Sequence, residues 1–153
     1  MSIPTKVVII DDDKSSITVL ANELKVYQDV VVVATASDSY DGEQVILKHK
    51  PQLIFLDIEL LCISGLEFLA TLHSKIDWDI NIIFYTSYDK YMLQAFRMEA
   101  FDFLLKPINK DDLLLVMNRY YLNRKNAQPS LLSSIHYPIE KPLLITTVVN
   151  DKI

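Results

Sequence analysis

The sequence predicts an α/β fold: a doubly wound parallel sheet of five strands with helices on both faces. Three observations carry this. The hydrophobic period switches repeatedly between short β-branched runs and 3.6-residue repeats, giving five strand–helix alternations over residues 5–125. The strand runs are apolar throughout rather than alternating, as expected of strands covered on both faces. The segments between them are long enough for the right-handed crossovers that parallel neighbours require.

The elements follow in order. Val7-Val8-Ile9-Ile10 is the first strand, ending in three aspartates. Lys14 to Val26 reads as a helix, with Ile17, Leu20, Ala21 and Leu24 on one face of the wheel. Val30 to Ala36 is the second strand. Asp41 to His49 is a short helix carrying Val45 and Ile46 and stopped by Pro51. Leu53 to Leu56 is the third strand, and Gly65 to Lys75 a helix with Leu66, Leu69, Ala70 and Leu72 inward. Asn81 to Tyr85 is the fourth strand, followed by a helix over 89–98 with Met92, Ala95 and Phe96. Phe101 to Leu105 is the fifth, ended by Pro107. The last helix, 110–125, carries Leu113, Leu114, Met117, Tyr120 and Tyr121. Residues 126–142, with Pro129, Pro138, Pro142 and three serines, have linker chemistry. Residues 143–153 open on a strand-like run, Leu143 to Val149, too small to hold a core of its own.

Composition excludes several classes. Half of the 153 residues are hydrophobic and 23% charged, so the chain is not intrinsically disordered. Gly42 and Gly65 are the only glycines, too few for a Gly-rich phosphate loop or a dinucleotide fingerprint. The net charge of −5 lies wholly in residues 1–125 (13 Lys and Arg against 18 Asp and Glu), which disfavours nucleic-acid binding by this segment. A lone Cys62 and the scattered His49, His73 and His136 make neither a disulfide framework nor a Cys/His metal site. No secretory leader and no apolar stretch of membrane-spanning length is present, so the cytoplasm is the expected location and no membrane contact is expected.

In an open parallel sheet, functional groups collect at the carboxyl ends of the strands. Those ends hold Asp11, Asp12 and Asp13, then Asp57, then Thr86 and Ser87, then Lys106. Each has a plain structural reading: Asp13 as a helix cap, Thr86 and Ser87 as caps of the next helix, Lys106 as a solvated lysine. Their conjunction on one rim points further. Clustered carboxylates raise one another's pKa unless a cation is present, and Mg²⁺ accepts a few carboxylates plus phosphate oxygens. Such a site suits phosphoryl transfer, with Asp57 as nucleophile, Lys106 neutralising phosphoryl oxygens and the Thr86 hydroxyl bonding one of them.

The segments VVIIDDD (7–13), LIFLDIELLCISGLEFL (53–69), NIIFYTS (81–87) and FDFLLKP (101–107) resemble a bacterial response-regulator receiver domain, over about residues 5–125. Residues 88–117 are especially similar to receivers of the LytTR-type (LytR/AlgR-like) regulators, and 143–153 resembles the truncated start of a LytTR-type DNA-binding domain. The resemblance implies a flavodoxin-like, CheY-like (βα)5 fold with strand order 2-1-3-4-5. It implies Asp57 as phosphoacceptor, Mg²⁺ held by Asp11, Asp12, Asp57 and the backbone carbonyl of Glu59, and Asp13 where Glu is common. Thr86 and Phe103 become the switch pair, Lys106 the phosphate-contacting lysine, and Lys106–Pro107 a cis bond. The implied partners are a sensor histidine kinase, a second copy through helix 89–98, strand 101–105 and helix 110–125, and DNA only through a missing C-terminal domain. The implied role is a phosphorylation-dependent switch of a two-component system, not an enzyme acting on other substrates. Departures are Leu60-Leu61 for a usual Met-Pro, Ser64 for a frequent Asp and Ser87 for a common Ala.

Other readings use similar groups. A haloacid-dehalogenase-type phosphatase places its nucleophile first with an Asp two residues on, whereas here the acidic pair precedes Asp57 and residue 59 is Glu. An FMN-binding flavodoxin-like protein needs an anion-friendly first loop, which three aspartates deny. A pseudo-receiver acting only as an interaction module is disfavoured by the intact acidic set.

Overall fold

The computed structural model describes residues 3–125. The expected linker (126–142) and strand-like tail (143–153) lie outside the described residues. The elements are β1 (Thr5–Ile10), α1 (Lys14–Leu24), β2 (Val30–Ala36), α2 (Ser39–His49), β3 (Leu53–Leu56), α3 (Gly65–Leu72), β4 (Asn81–Thr86), a 3₁₀ turn (Asp89–Tyr91), α4 (Met92–Arg97), β5 (Asp102–Leu105) and α5 (Lys110–Lys125). All four strand pairings are parallel, in the order β2-β1-β3-β4-β5. This is the predicted doubly wound order.

Both faces of the central strands are buried, which explains their unbroken apolar runs. On one face Val8, Ile10, Ile54, Leu56, Ile82 and Phe84 cluster with Ile46 of α2, Phe68, Leu69 and Leu72 of α3, and Ala95 of α4. On the other, Val7, Ile9, Leu53, Phe55 and Ile83 are buried, as are Leu20 and Leu24 of α1. At the amino ends of the strands the Trp78 indole N–H donates to the Pro51 carbonyl at 2.9 Å, and Lys50 lies over its ring. The chain divides into two compact units within α5, at Leu113/Leu114. Among the described residues of α5, Leu113, Val116, Met117 and Tyr120 are buried, a helical spacing.

Several expectations are corrected. Helix α1 stops at Leu24, not Val26, and α3 at Leu72, not Lys75. Just beyond α3 the Ser74 hydroxyl donates to the Thr71 carbonyl, competing with continued helix. In α3 Phe68 is buried and Ala70 exposed, because three- and four-residue spacing from Gly65 and Leu72 selects Phe68. In α5 Leu114 is exposed. The helix expected over 89–98 is a 3₁₀ turn followed by six α-helical residues. Its flanking residue Tyr88 offers no side-chain cap, and tighter 3₁₀ turns are common where helix ends lack capping.

Candidate functional site

Strand register builds the rim. Ile10 pairs with Leu56, and Leu56 with Phe84, so Asp11 and Asp57 leave adjacent strands at the same level. The Asp57 N–H donates to the Ile10 carbonyl at 3.0 Å. Thr86 pairs with Leu105, and the Lys106 N–H donates to the Thr86 carbonyl at 2.8 Å. Four residues far apart in sequence are thereby fixed by backbone hydrogen bonds rather than by mobile loops.

The side chains meet as a buried charge cluster. The Lys106 ammonium donates to Asp11 Oδ2 at 2.7 Å and to Asp57 Oδ2 at 3.0 Å. Asp57 Oδ1 accepts from the Glu59 N–H at 3.1 Å, and Asp11 Oδ1 from the Asp13 N–H at 2.9 Å. Tyr85 lies beneath the lysine, its ring centroid 5.4 Å from Nζ. Burial pushes the Asp11 carboxyl up to about 6 against the pull of the Lys106 hydrogen bond, and the Asp57 charge adds to the rise. Burial alone would depress the Lys106 amine, but its bonds to Asp11 and Asp57 win and hold it above its ordinary value.

Oxygens of Asp11, Asp12 and Asp57 lie within 4.8 Å of one another. Three carboxylates against one lysine leave a deficit of positive charge, and an all-oxygen donor set suits a hard divalent cation. The residues therefore fit Mg²⁺. A second observation fits a phosphoryl group: the Thr86 hydroxyl is fully buried and has no hydrogen-bond partner. A buried hydroxyl left unpaired costs about 1–3 kcal/mol, so an acceptor arriving there is favoured.

The plain readings sort themselves. Asp13 is the cap of α1: its carboxylate accepts from the Ser15 N–H and from the Ser15 and Ser16 hydroxyls, which hold it below the usual carboxylate range. Neither Thr86 nor Ser87 caps a helix, since Tyr88 occupies that position. Ser87 is exposed and lines a cleft of about 320 Å³ with Ser15, Ser16, Lys106 and Pro107. Ser64 completes a capping box with Glu67 at the head of α3. Gly65 is required there: a Cβ would stand against the Asp57 carbonyl and 2.9 Å from Ile58 Cα. The Lys106–Pro107 bond is cis. Phe103, the expected switch aromatic, pairs with Phe84 and packs partly buried against the core.

One contact was not legible in sequence. The Tyr91 hydroxyl donates to Glu59 Oε2 at 2.6 Å, joining the loop after Asp57 to the turn before α4. The two residues are 32 apart, and no local spacing signals it.

Residues 7–118 match the response regulator receiver domain. The chain is 35% identical over 127 residues to the transcriptional regulatory protein BtsR of Escherichia coli, covering 83% of this chain and 52% of that protein. It is 32% identical over 115 residues to the sensory transduction protein LytT of Bacillus anthracis, covering 75% and 46%. Among solved structures, the receiver domain of AraT, a response regulator from Geobacillus stearothermophilus, superposes with a TM-score of 0.73 at 25% identity, covering 81% of this chain and 98% of that one. The chain belongs to the response regulator receiver domain family. It is a bacterial two-component signalling switch domain, with relatives among the LytT-type regulators. It spans about half the length of the curated relatives it matches. No helix among the described residues is long and apolar enough to cross a membrane.

Proposed function

We propose that Asp57 accepts a phosphoryl group from the phosphohistidine of a sensor histidine kinase. The observation that carries this is the buried Asp11–Lys106–Asp57 cluster. An Asp57 carboxylate oxygen attacks phosphorus, the P–N bond to the donor breaks, and the histidine nitrogen leaves with the electron pair. Lys106, already bonded to Asp57, neutralises a phosphoryl oxygen, and the unpaired Thr86 hydroxyl donates to another. Asp11, Asp12, Asp57 and the Glu59 carbonyl would hold Mg²⁺, which when bound offsets charge on the transferring group. As Thr86 engages the phosphoryl group, Phe103 moves into the space behind it; this differential contact biases the domain between two states. Intact-mass measurement after acetyl phosphate and Mg²⁺ should show one phosphoryl adduct in the wild type and none in Asp57→Asn. A full adduct in the variant overturns the assignment.

The partner of the phosphorylated state is a second copy, through helix 89–98, strand 101–105 and helix 110–125. Met92, Leu93 and Phe96 of α4 and Leu105 of β5 are exposed, beside charges of both signs at Lys90, Arg97 and Asp102. Mixed signs suit a two-fold contact. In the whole protein, a C-terminal LytTR-type DNA-binding domain beginning near residue 143 would convert pairing into transcription regulation in the cytoplasm. The matched relatives, a sensory transduction protein and a transcriptional regulatory protein, each about twice the length aligned here, support that reading. Light scattering with beryllofluoride should show a doubled mass in the wild type and a monomer in Thr86→Ala; a monomer in both sends output through another surface.

A further inference from the structure

The Glu59–Tyr91 bond touches the phosphoacceptor loop from outside the charge cluster. Glu59 grips the site twice. Its N–H holds Asp57 Oδ1 at 3.1 Å, and its carboxylate is held by Tyr91 at 2.6 Å. The Tyr91 ring is itself fixed. Lys90 Nζ stands 5.1 Å from its centroid, and Tyr88 meets it edge-on at 6.4 Å and 86°. The bond to Glu59 raises the Tyr91 hydroxyl above its ordinary pKa.

We infer that Tyr91 is a positioning residue for phosphoryl transfer: its hydroxyl draws the Glu59 carboxylate aside, away from the approach of an anionic phosphodonor to Asp57. This rests on the reading of Asp57 as phosphoacceptor. The rim already carries Asp11, Asp12 and Asp57 against one lysine. A fourth carboxylate, tethered two residues from Asp57 and free to swing, would repel the donor and attract a cation. At separations of several ångströms in a largely aqueous setting, such a charge changes an encounter by about threefold. The effect is electrostatic, so salt screens it.

The test is a cycle with Tyr91→Phe, which keeps the ring and removes only the donor. On the Glu59 background, phosphorylation by acetyl phosphate should slow about threefold at low ionic strength and recover in about 0.5 M salt. Made on top of Glu59→Gln, whose amide oxygen can still accept from Tyr91 but which carries no charge, Tyr91→Phe should change nothing. Calorimetric titration with Mg²⁺ alone should show about threefold tighter binding in Tyr91→Phe and no such gain on the Glu59→Gln background. An unchanged Mg²⁺ affinity in Tyr91→Phe, or an equal slowing on both backgrounds, overturns the inference. Absence of any wild-type adduct overturns the Asp57 reading instead, and the Mg²⁺ titration then decides the role of Tyr91 by itself.

Discussion

Helices α3 and α4 each follow a loop of the site, one after Asp57 and one after Thr86, yet they are built oppositely. Helix α3 opens on a complete capping box and buries Gly65, Phe68, Leu69 and Leu72. Helix α4 has no side-chain cap, begins through a 3₁₀ turn, is six residues long and buries only Ala95. The contrast is sharpest in two phenylalanines: Phe68 is 2% exposed and Phe96 77%. The helix behind Asp57 is anchored, which is what the nucleophile proposed there requires. The helix behind Thr86 is weakly held and presents apolar surface, which is what an element that shifts and docks requires.

Four measurements would break or sharpen that contrast. The largest effect is expected at Phe68: Phe68→Ala should cost about 4 kcal/mol in denaturant unfolding. A cost below about 1 kcal/mol would mean α3 is no better anchored than α4. Next is a change common to both helices, through the rim. The Asp11 carboxyl is raised from 3.8 to about 6 in the folded protein. A raised carboxyl favours the folded state while protonated, so the benefit is complete below about pH 4 and lost as pH rises through 6. With chelator present, stability should fall by on the order of 2 kcal/mol between pH 4 and pH 7. Asp11→Asn should flatten that profile, and a profile unchanged in the variant would place the titration elsewhere.

The third is the cap. Ser64→Ala removes the acceptor for the Glu67 N–H at 3.1 Å and should cost about 1 kcal/mol. The smallest is Phe96→Ala, expected within about 0.5 kcal/mol of wild type in unfolding, while abolishing the beryllofluoride-induced rise in mass. A large stability loss there would show that α4 is part of the core after all.

The same contrast marks what was legible in the sequence. Strands β2 and β3 and helix α5 match their predicted bounds, and strand order matched the resemblance. A strand buried on both faces writes itself as an apolar run, and a strand end is a position on a line, so Asp11, Asp57, Thr86 and Lys106 could be read one-dimensionally. Helix faces were read less well. Ala70 looked as inward as Leu69 because small apolar residues satisfy either side of a wheel, and Phe68 was passed over. The division of 89–98 into a 3₁₀ turn and a short α4 depends on a missing cap, which apolar periodicity does not register. The Glu59–Tyr91 bond depends on where two loops come to rest, and no spacing encodes that.

Trp78 has an optical consequence. It is the only tryptophan in the chain, and its indole N–H is tied to the Pro51 carbonyl, ahead of β3. Asp57 lies beyond the opposite end of that strand, six residues and roughly 20 Å further along an extended chain. Tryptophan emission should therefore report loss of the fold and ignore occupancy of the rim. Fluorescence-detected denaturation can then compare phosphorylated and unphosphorylated protein on one scale, without a baseline offset from the phosphoryl group itself.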